Sequence, residues 1–257
     1  MVSRRNFLKA GTLAALPVST GVSGCTSKGR LQGQQDAFRE DFGFITPADD
    51  PIFGDSSGDV IKTAVGTGNS RHAEVRRAFR LLWDSPRTVD HMAIAQYFEN
   101  IQVTNQNEHN YSGAIAKYNE EWQASANPLI TSFFAMTNTV PSSGDQTPWC
   151  AAFVSFVLYA SNKPNMFSAL SGSYRSYMTA TTTPKFGDVV VFRKYGNLGD
   201  RGFGHVGFYI SEDETTVTVL GGNQRGTTGS TGAVVRTRYA KIGKSQELHS
   251  FRAVPTN

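Results

Sequence analysis

Cys150 lies at the start of an apolar stretch of the chain, where a thiol could act as a nucleophile. Thr147 is a good helix N-cap and Pro148 suits the first helical position, so the sequence predicts a helix with Cys150 in its first turn. Backbone N–H groups lack helical partners there and favour an anion. We therefore expect the pKa of Cys150 to lie below that of a free cysteine, which makes the thiol a better nucleophile.

His205 begins the first of two adjacent segments, 205–211 and 216–222, whose residue patterns predict the strands of a hairpin. In the register that the short turn between them favours, His205 lies opposite Gly222 and next to Asn223. The Asn223 amide could then hold the imidazole in the tautomer that takes a proton from a thiol. This register predicts that His205 and Asn223 act as a pair.

Cys150, His205 and Asn223 follow one another in the order that a thiol hydrolase needs. Taken alone, each has a common structural explanation. A cysteine packs as a small apolar side chain, a histidine packs at a strand end, and Gly-Gly-Asn forms a turn. The helix position, the hairpin register and the chain order are separate requirements, and the sequence meets all three. Together they indicate a candidate catalytic site.

Residues 127–254 resemble the NlpC/P60 and CHAP superfamily of papain-like cell-wall hydrolases, in the bacterial branch that carries Leu-Gly-Gly-Asn-Gln. The resemblance rests on five ordered motifs, which are together more specific than any one of them. They are Asn127-Pro128-Leu129-Ile130 with Phe133-Phe134, Thr147-Pro148-Trp149-Cys150-Ala151-Ala152-Phe153-Val154, Gly187-Asp188-Val189-Val190-Val191-Phe192, Gly204-His205-Val206-Gly207-Phe208-Tyr209 and Leu220-Gly221-Gly222-Asn223-Gln224.

The resemblance implies an α+β, papain-like (CHAP-like) fold, in which the helix that carries the nucleophile packs on a small antiparallel sheet. It implies an exported cysteine hydrolase that cleaves amide bonds in peptidoglycan or its stem peptides through an acyl-enzyme. Cys150 would be the nucleophile, His205 the base and Asn223 the third polar residue. Trp149 and Gln224, which lie beside Cys150 and Asn223 in these motifs, are expected to contact the substrate.

Gly221 departs from the pattern of the family. Many CHAP domains carry a glutamate there, in a Glu-x-Asn pattern, and this chain has no carboxylate at that position. Two alternatives to a hydrolase therefore stay open. A cell-wall binding protein with a degenerate site would keep the fold, and an acyltransferase would use the same cysteine and histidine.

The composition is that of a globular protein. Its 257 residues, 39% hydrophobic and 18% charged, permit one core of moderate size with an extra segment. The formal net charge is +4, and the basic residues of the first nine positions account for most of it. Without a basic block there is no case for a nucleic-acid partner. The five histidines form no His-Glu-x-x-His motif, so we predict neither a metal nor a cofactor.

The first 24 residues have the features of an export signal. Arg4 and Arg5 precede a short, weakly apolar run, which resembles a twin-arginine signal peptide. Val22-Ser23-Gly24-Cys25 then resembles a lipobox, in which Cys25 becomes the lipidated first residue of the mature protein. A plain signal peptide with a chance Arg-Arg pair is the alternative. We expect an exported, periplasmic lipoprotein held at the membrane through Cys25, with Cys150 as a free thiol.

Three segments follow the signal peptide. Residues 25–70 are rich in small and polar residues and predict a flexible tether, residues 71–126 predict a helical cap, and residues 127–257 form the catalytic domain. In the cap, apolar residues recur at helical spacing and predict two or three amphipathic helices with aromatic side chains in the core. These residues are Val75, Phe79, Leu82 and Trp83, then Met92, Ala95, Tyr97 and Phe98, then Ile115, Tyr118 and Trp122.

The catalytic domain is predicted to contain a central helix and a small sheet. Residues 151–160 are apolar on nearly every face, which is typical of a buried helix. Short strands are predicted to follow in an antiparallel meander. They span residues 186–192, 205–211, 216–222, 233–238 and 250–254.

Overall fold

The computed structural model describes residues 72–104, 108–109, 113, 115–122, 125–225 and 232–256. The predicted signal peptide, the tether and the lipidation site at Cys25 lie outside the described residues. Among the helices that the model describes, none combines the length and the apolar character that crossing a bilayer requires.

The described part of the chain combines short helices with one antiparallel sheet. The α-helices are α1 (His72–Asp84), α2 (His91–Thr104), α3 (Pro128–Phe133), α4 (Cys150–Ala160) and α5 (Gly196–Asp200). Short 3-10 helices span Phe134–Met136, Gly144–Gln146 and Ser171–Ser176. The strands are β1 (Ala180–Thr181), β2 (Val189–Lys194), β3 (Gly204–Glu212), β4 (Thr216–Arg225), β5 (Gly232–Ala240) and β6 (Gln246–Arg252). The fold is therefore α+β, as the sequence predicts.

The six strands form one sheet in the order β1-β6-β2-β3-β4-β5, and every neighbouring pair is antiparallel. The predicted meander is confirmed for β2 to β5. It is wrong for the last strand, because β6 pairs with β2 and β1 instead of following β5. This pairing covers the free edge of β2, the strand in which four consecutive apolar residues are buried.

Helix α4 is the central buried helix, as predicted, and its side chains pack on β3 and β4. On β3, Val206 and Phe208 face this helix and belong to its core cluster. Helices α2 and α3 reach the same cluster through Phe98, whose ring lies 5.3 Å from that of Phe133 and 6.4 Å from that of Phe153. The cap segment therefore shares its core with the helix that carries Cys150.

Helix α1 turns a different face to the core from the one its apolar spacing predicts. Glu74, Ala78 and Leu81 are buried. Phe79 and Trp83, which we predicted to be core residues, are 65% and 73% exposed. Residues 74, 78 and 81 also recur at helical spacing, and the small side chain of Ala78 lets the helix approach α3 closely. Packing therefore buries residues 74, 78 and 81, although residues 75, 79, 82 and 83 are more apolar.

Residues 115–122 form turns and isolated bridges, so the third helix that the spacing allowed does not form. Asn127 stabilises this irregular path from a fully buried position. Its Nδ2 donates hydrogen bonds to the carbonyls of Tyr118 at 2.9 Å and Glu120 at 2.8 Å, and its Oδ1 accepts one from the N–H of Leu129 at 2.9 Å. One side chain therefore caps α3 and satisfies the backbone that precedes it.

Replacement of Asn127 by alanine is expected to lower the free energy of unfolding by about 3 kcal/mol, because it leaves buried backbone groups without partners. Urea denaturation would measure this change. Asn138→Ala is the matched control, since the Asn138 side chain is exposed and makes no hydrogen bond to the described residues. Equal losses in the two variants would contradict the role of Asn127.

Candidate active site

Cys150 is the first residue of α4, and Trp149 is the N-cap without a side-chain hydrogen bond. The predicted start at Pro148, with Thr147 as the cap, is wrong by two residues. The Thr147 hydroxyl instead accepts a hydrogen bond from the N–H of Ser143 at 3.1 Å, across the short 3-10 helix that these two residues flank. The thiol nevertheless lies in the first turn of a helix, where backbone N–H groups point outward.

The pKa of Cys150 is raised, against the expectation of a lowered one. Burial is the main cause, because the side chain is 5% exposed and desolvation penalises a thiolate. Backbone hydrogen bonds of Val206, Ala151 and Cys150 itself, and the charge of Lys194, act in the opposite direction but are smaller. The resting site therefore holds a thiol, which must lose its proton to a base before it can attack.

His205 is 7% exposed on β3, and its ring packs beside those of Phe192 and Tyr239, at 6.5 and 5.2 Å between centroids. Burial lowers the pKa of its imidazole to about 4, and the hydrogen bond that the ring makes to Gln224 only partly opposes this shift. The imidazole is therefore neutral near pH 7. It can accept a proton there, as a general base requires.

Two relations bring the thiol and the imidazole to the same end of the sheet. The thiol of Cys150 interacts with the backbone of Val206, the residue that follows His205. Burial, and then the charge of Cys150, raise the pKa of Tyr239, whose ring contacts the imidazole. Cys150 and His205 thus lie near the same end of β3.

Gln224 is the hydrogen-bond partner of His205. Its Oε1 lies 2.9 Å from Nε2 of the imidazole. Its Nε2 donates to the carbonyl of Val219 at 3.1 Å and to that of Val235, which fixes the orientation of the amide. The Oε1 must then accept, so His205 carries its hydrogen on Nε2 and keeps the lone pair on Nδ1. Gln224 is 1% exposed, so the predicted contact with substrate is wrong.

The register of the hairpin differs from the predicted one. Phe208 pairs with Leu220, one residue further along β4 than the alignment of His205 with Gly222 requires. The turn causes the difference, because it is centred one residue later than predicted, so Glu212 pairs with Val217 and the offset there is two residues. The bulge in β3 at Ile210 then reduces the offset to one residue.

A second bulge, in β4, decides which amide faces the imidazole. The pairing of β4 with β5 shifts between Gly221 and Gln224, where β4 has two residues and β5 has one. The extra residue puts Gln224, and not Asn223, on the face of His205. A Cβ atom at Gly221 would lie 3.3 Å from Oε1 of Gln224. The glutamine amide therefore fills the space beside Gly221.

Asn223 faces the helix, so the predicted hydrogen bond from Asn223 to His205 is wrong. Its backbone is left-handed, with φ of 55°. Its amide oxygen accepts from the N–H of Trp149 at 3.2 Å, and its nitrogen donates to Oε1 of Glu121 at 3.1 Å. Glu121 also accepts hydrogen bonds from Nε1 of Trp149 and from the N–H of Gly232, each at 2.9 Å. Asn223 and Glu121 thus fix the N-terminus of α4.

Trp149 is fully buried, so the contact with substrate that we predicted for it is also wrong. A Cβ atom at Gly222 would lie 2.6 Å from Cε3 of Trp149 and 2.8 Å from Cβ of Phe153. Glycine at this position lets β4 approach the first turns of α4 closely. The role of the indole is to position the helix that carries Cys150.

A fall in pH from 7 to 4 is expected to cost about 3 kcal/mol of folding free energy through His205 alone. Its pKa is 6.5 when unperturbed and about 4 in the folded protein, so folding favours the neutral form. The contribution is complete above pH 6.5 and is lost as the pH falls towards 4. Urea denaturation at both pH values, on this protein and on His205→Gln, would measure it. Equal losses in the two proteins would contradict burial of a neutral imidazole.

Within the residues that the model describes, no three His, Cys, Asp or Glu side chains gather in a way that could hold a metal ion. Cys150 is a free cysteine. Cys150 and His205 themselves offer a thiol and a neutral imidazole.

Residues 142–223 match the CHAP domain family. No curated protein and no solved structure matches the chain. The matched segment contains Cys150, His205 and Asn223, and it ends one residue before Gln224. The match supports the relationship of this part of the chain to the CHAP and NlpC/P60 superfamily, and it indicates a peptidoglycan hydrolase or amidase.

Proposed function

We propose that the protein is an exported cysteine hydrolase that cleaves amide bonds in peptidoglycan, as an amidase or an endopeptidase. One observation carries the proposal. A buried thiol in the first turn of α4 lies against β3 beside His205, a neutral histidine whose Nε2 is held by Gln224. The amide bonds of peptidoglycan as substrates are supported by the CHAP match.

In the first half of the reaction, Nδ1 of His205 removes the proton from Sγ of Cys150 as the sulfur attacks the carbonyl carbon of an amide. The C=O π bond opens, and its electron pair becomes an oxyanion. The N–H groups in the first turn of α4 are placed to donate to this oxygen. Gln224 keeps the imidazole ring oriented, because it accepts the hydrogen on Nε2.

In the second half, the oxyanion collapses, the C–N bond breaks, and Nδ1 returns its proton to the leaving amine. The product is a thioester on Cys150. Water then attacks the thioester while His205 takes its proton, and release of a carboxylate restores the thiol. In this mechanism Cys150 stays a thiol until the substrate binds, and His205 takes its proton only during the attack. A buried cysteine with a raised pKa is compatible with such a mechanism.

The proposed location is the periplasm, with a lipid on Cys25 anchoring the protein to a membrane. Its support is the twin-arginine and lipobox-like sequence of the first 25 residues. Edman sequencing or mass spectrometry of the protein from the cell envelope would find a lipidated Cys25 at the N-terminus. An unprocessed Met1 would contradict export.

Digestion of purified peptidoglycan tests the activity. The protein and its Cys150→Ala variant are incubated with the polymer, and the soluble fragments are identified by mass spectrometry. We expect fragments with one new amine and one new carboxylate, made by the unmutated protein only. Their masses distinguish cleavage between sugar and peptide from cleavage within the stem peptide.

Two other outcomes would contradict the proposal. Equal products from Cys150→Ala would exclude the thiol as the nucleophile. Absence of products, with retention of the protein on intact peptidoglycan, would favour a binding protein. The acyltransferase alternative is tested by adding a free amine to the digest. An acyltransferase would transfer the acyl group from Cys150 to this amine and form a new amide.

A further inference from the structure

The outer face of α1 is both aromatic and basic. Arg76, Phe79, Arg80 and Trp83 are exposed on the helix, and Arg87 is exposed just after it. They recur at intervals of three and four residues, so they share one side of the helix. We call these five residues the arginine–aromatic face.

The exposure of the two rings is large for residues of their type. Phe79 is 65% exposed and Trp83 is 73% exposed, although most surface aromatic rings of a soluble domain are better covered. The guanidinium of Arg87 lies 4.4 Å from the centroid of the Trp83 ring. This cation–π contact holds a positive charge directly over an apolar surface.

The apolar surface continues past Phe79 into a groove of about 320 Å³ between α1 and α3. Its walls are mostly apolar. They are formed by Val75, Ala78, Phe79, Pro128, Thr131, Ser132 and Ala135. The two rings and the groove together form a larger exposed apolar surface than the two rings alone.

The charge on this side of α1 is positive. Asp84 is the exposed acid at the end of the helix, and its charge also acts on Tyr97 of α2. Glu74 is buried, and Arg77 pairs with Glu108 at 2.8 Å, so neither belongs to the face. Three arginines against one acid leave an excess of positive charge beside two exposed rings.

We propose that the arginine–aromatic face docks on the surface of a membrane that contains anionic phospholipids. Arginine binds phosphate groups with two parallel hydrogen bonds, and tryptophan and phenylalanine are favoured at the level of the lipid headgroups. A helix with both features on one side binds the interface of a bilayer and is sensitive to its charge. The inference does not depend on the proposed hydrolase activity or on a lipid at Cys25.

Fluorescence of Trp83 tests the proposal. The chain has three tryptophans, and Trp122 and Trp149 are buried, so a change in emission on binding reports on Trp83. The full chain with Cys25→Ser, which cannot be lipidated, is mixed with vesicles of phosphatidylcholine alone or with phosphatidylglycerol. We expect a shift to shorter wavelength with the anionic vesicles and none with the neutral ones. Trp83→Phe should abolish the shift.

Matched variants separate this face from unspecific binding. Arg76→Gln with Arg80→Gln should weaken binding to anionic vesicles roughly 30-fold, since each arginine near a charged surface contributes on the order of 1 kcal/mol. Phe79→Ser with Arg80→Gln should weaken it more than Ile242→Ser with Lys244→Gln. That second pair removes an exposed apolar residue and a cation elsewhere, since Ile242 is 82% exposed.

Vesicle binding without a change in Trp83 emission would overturn the proposal, because it would assign binding to another segment, such as the apolar leader. An equal shift with neutral vesicles would overturn the role of the arginines. Absence of binding, with a protein partner captured through Trp83, would assign the face to a protein instead of a lipid surface.

Discussion

The variant His205→Gln is expected to hydrolyse peptidoglycan roughly 10³-fold more slowly than the unmutated protein at pH 7, as kcat/KM. The thiol of Cys150 has a raised pKa, so it does not ionise by itself at this pH. Glutamine fills a similar volume but cannot take the proton. The loss should therefore shrink as the pH rises and the thiol begins to ionise without help.

A pH–rate profile from pH 5 to pH 10 measures this effect. The unmutated protein should keep its activity well below pH 6, because the pKa of His205 is about 4. The rate of the variant should increase with pH throughout the range. A variant that keeps a tenth of the activity at pH 7, or whose rate does not depend on pH, would contradict the role of His205 as the base.

Replacement of Gln224 by methionine is expected to lower kcat/KM roughly 100-fold. Methionine has a similar length but cannot accept the hydrogen on Nε2 of His205, so the imidazole is free to adopt the wrong tautomer. In a triad whose third member is a buried carboxylate, the wrong tautomer lowers kcat by up to about 10⁴-fold. A neutral amide should contribute less to the rate. KM should change little, because Gln224 is buried.

Asn223→Gly is the matched control for Gln224→Met. Glycine adopts the left-handed backbone of Asn223 without strain and removes only its contacts with Trp149 and Glu121. We expect a loss below about tenfold, as for a residue that only supports the helix. Nitrogen-15 NMR of His205 separates the two roles, since only Gln224→Met should change the ring tautomer. A larger loss in Asn223→Gly would restore the role predicted from sequence.

The central helix and the face of β3 that packs on it could be predicted because they depend on local patterns. Residues 151–160 are apolar on nearly every side, which favours a buried helix. Alternation of apolar residues also fixes which face of β3 meets this helix, since Val206 and Phe208 point to the core. Both signals lie within ten residues of chain.

The partner of His205 could not be predicted in this way. Strict alternation assigns the role to Asn223, and a single extra residue in β4 transfers it to Gln224. The bulge depends on how β4 fits between β5 and the helix, where Gly222 meets Trp149 and Phe153. Such a fit involves segments far apart in the chain.

The pKa of Cys150 and the contacts of Glu121 also depend on segments that are far apart in the chain, so local patterns could not predict them. The helix terminus is a local feature and favours a thiolate, whereas burial comes from the whole domain and outweighs it. Glu121 accepts a hydrogen bond from Gly232, 111 positions later in the chain, and no motif indicated this pairing. On α1, packing against α3 buries Glu74, Ala78 and Leu81, although the sequence offers a more apolar set at 75, 79, 82 and 83.

The bulge in β4 makes the site unequally sensitive to changes in strand length. Deletion of Asn223 would leave Gln224 two positions after Gly221, so strict alternation would still turn the glutamine towards His205. Insertion of one residue beside Val234, on the opposite strand, would give the extra residue a partner and flatten the bulge. Asn223 would then rotate towards the imidazole and Gln224 away from it. A shorter β4 therefore preserves the hydrogen bond to the base, whereas a longer β5 exchanges the two amides.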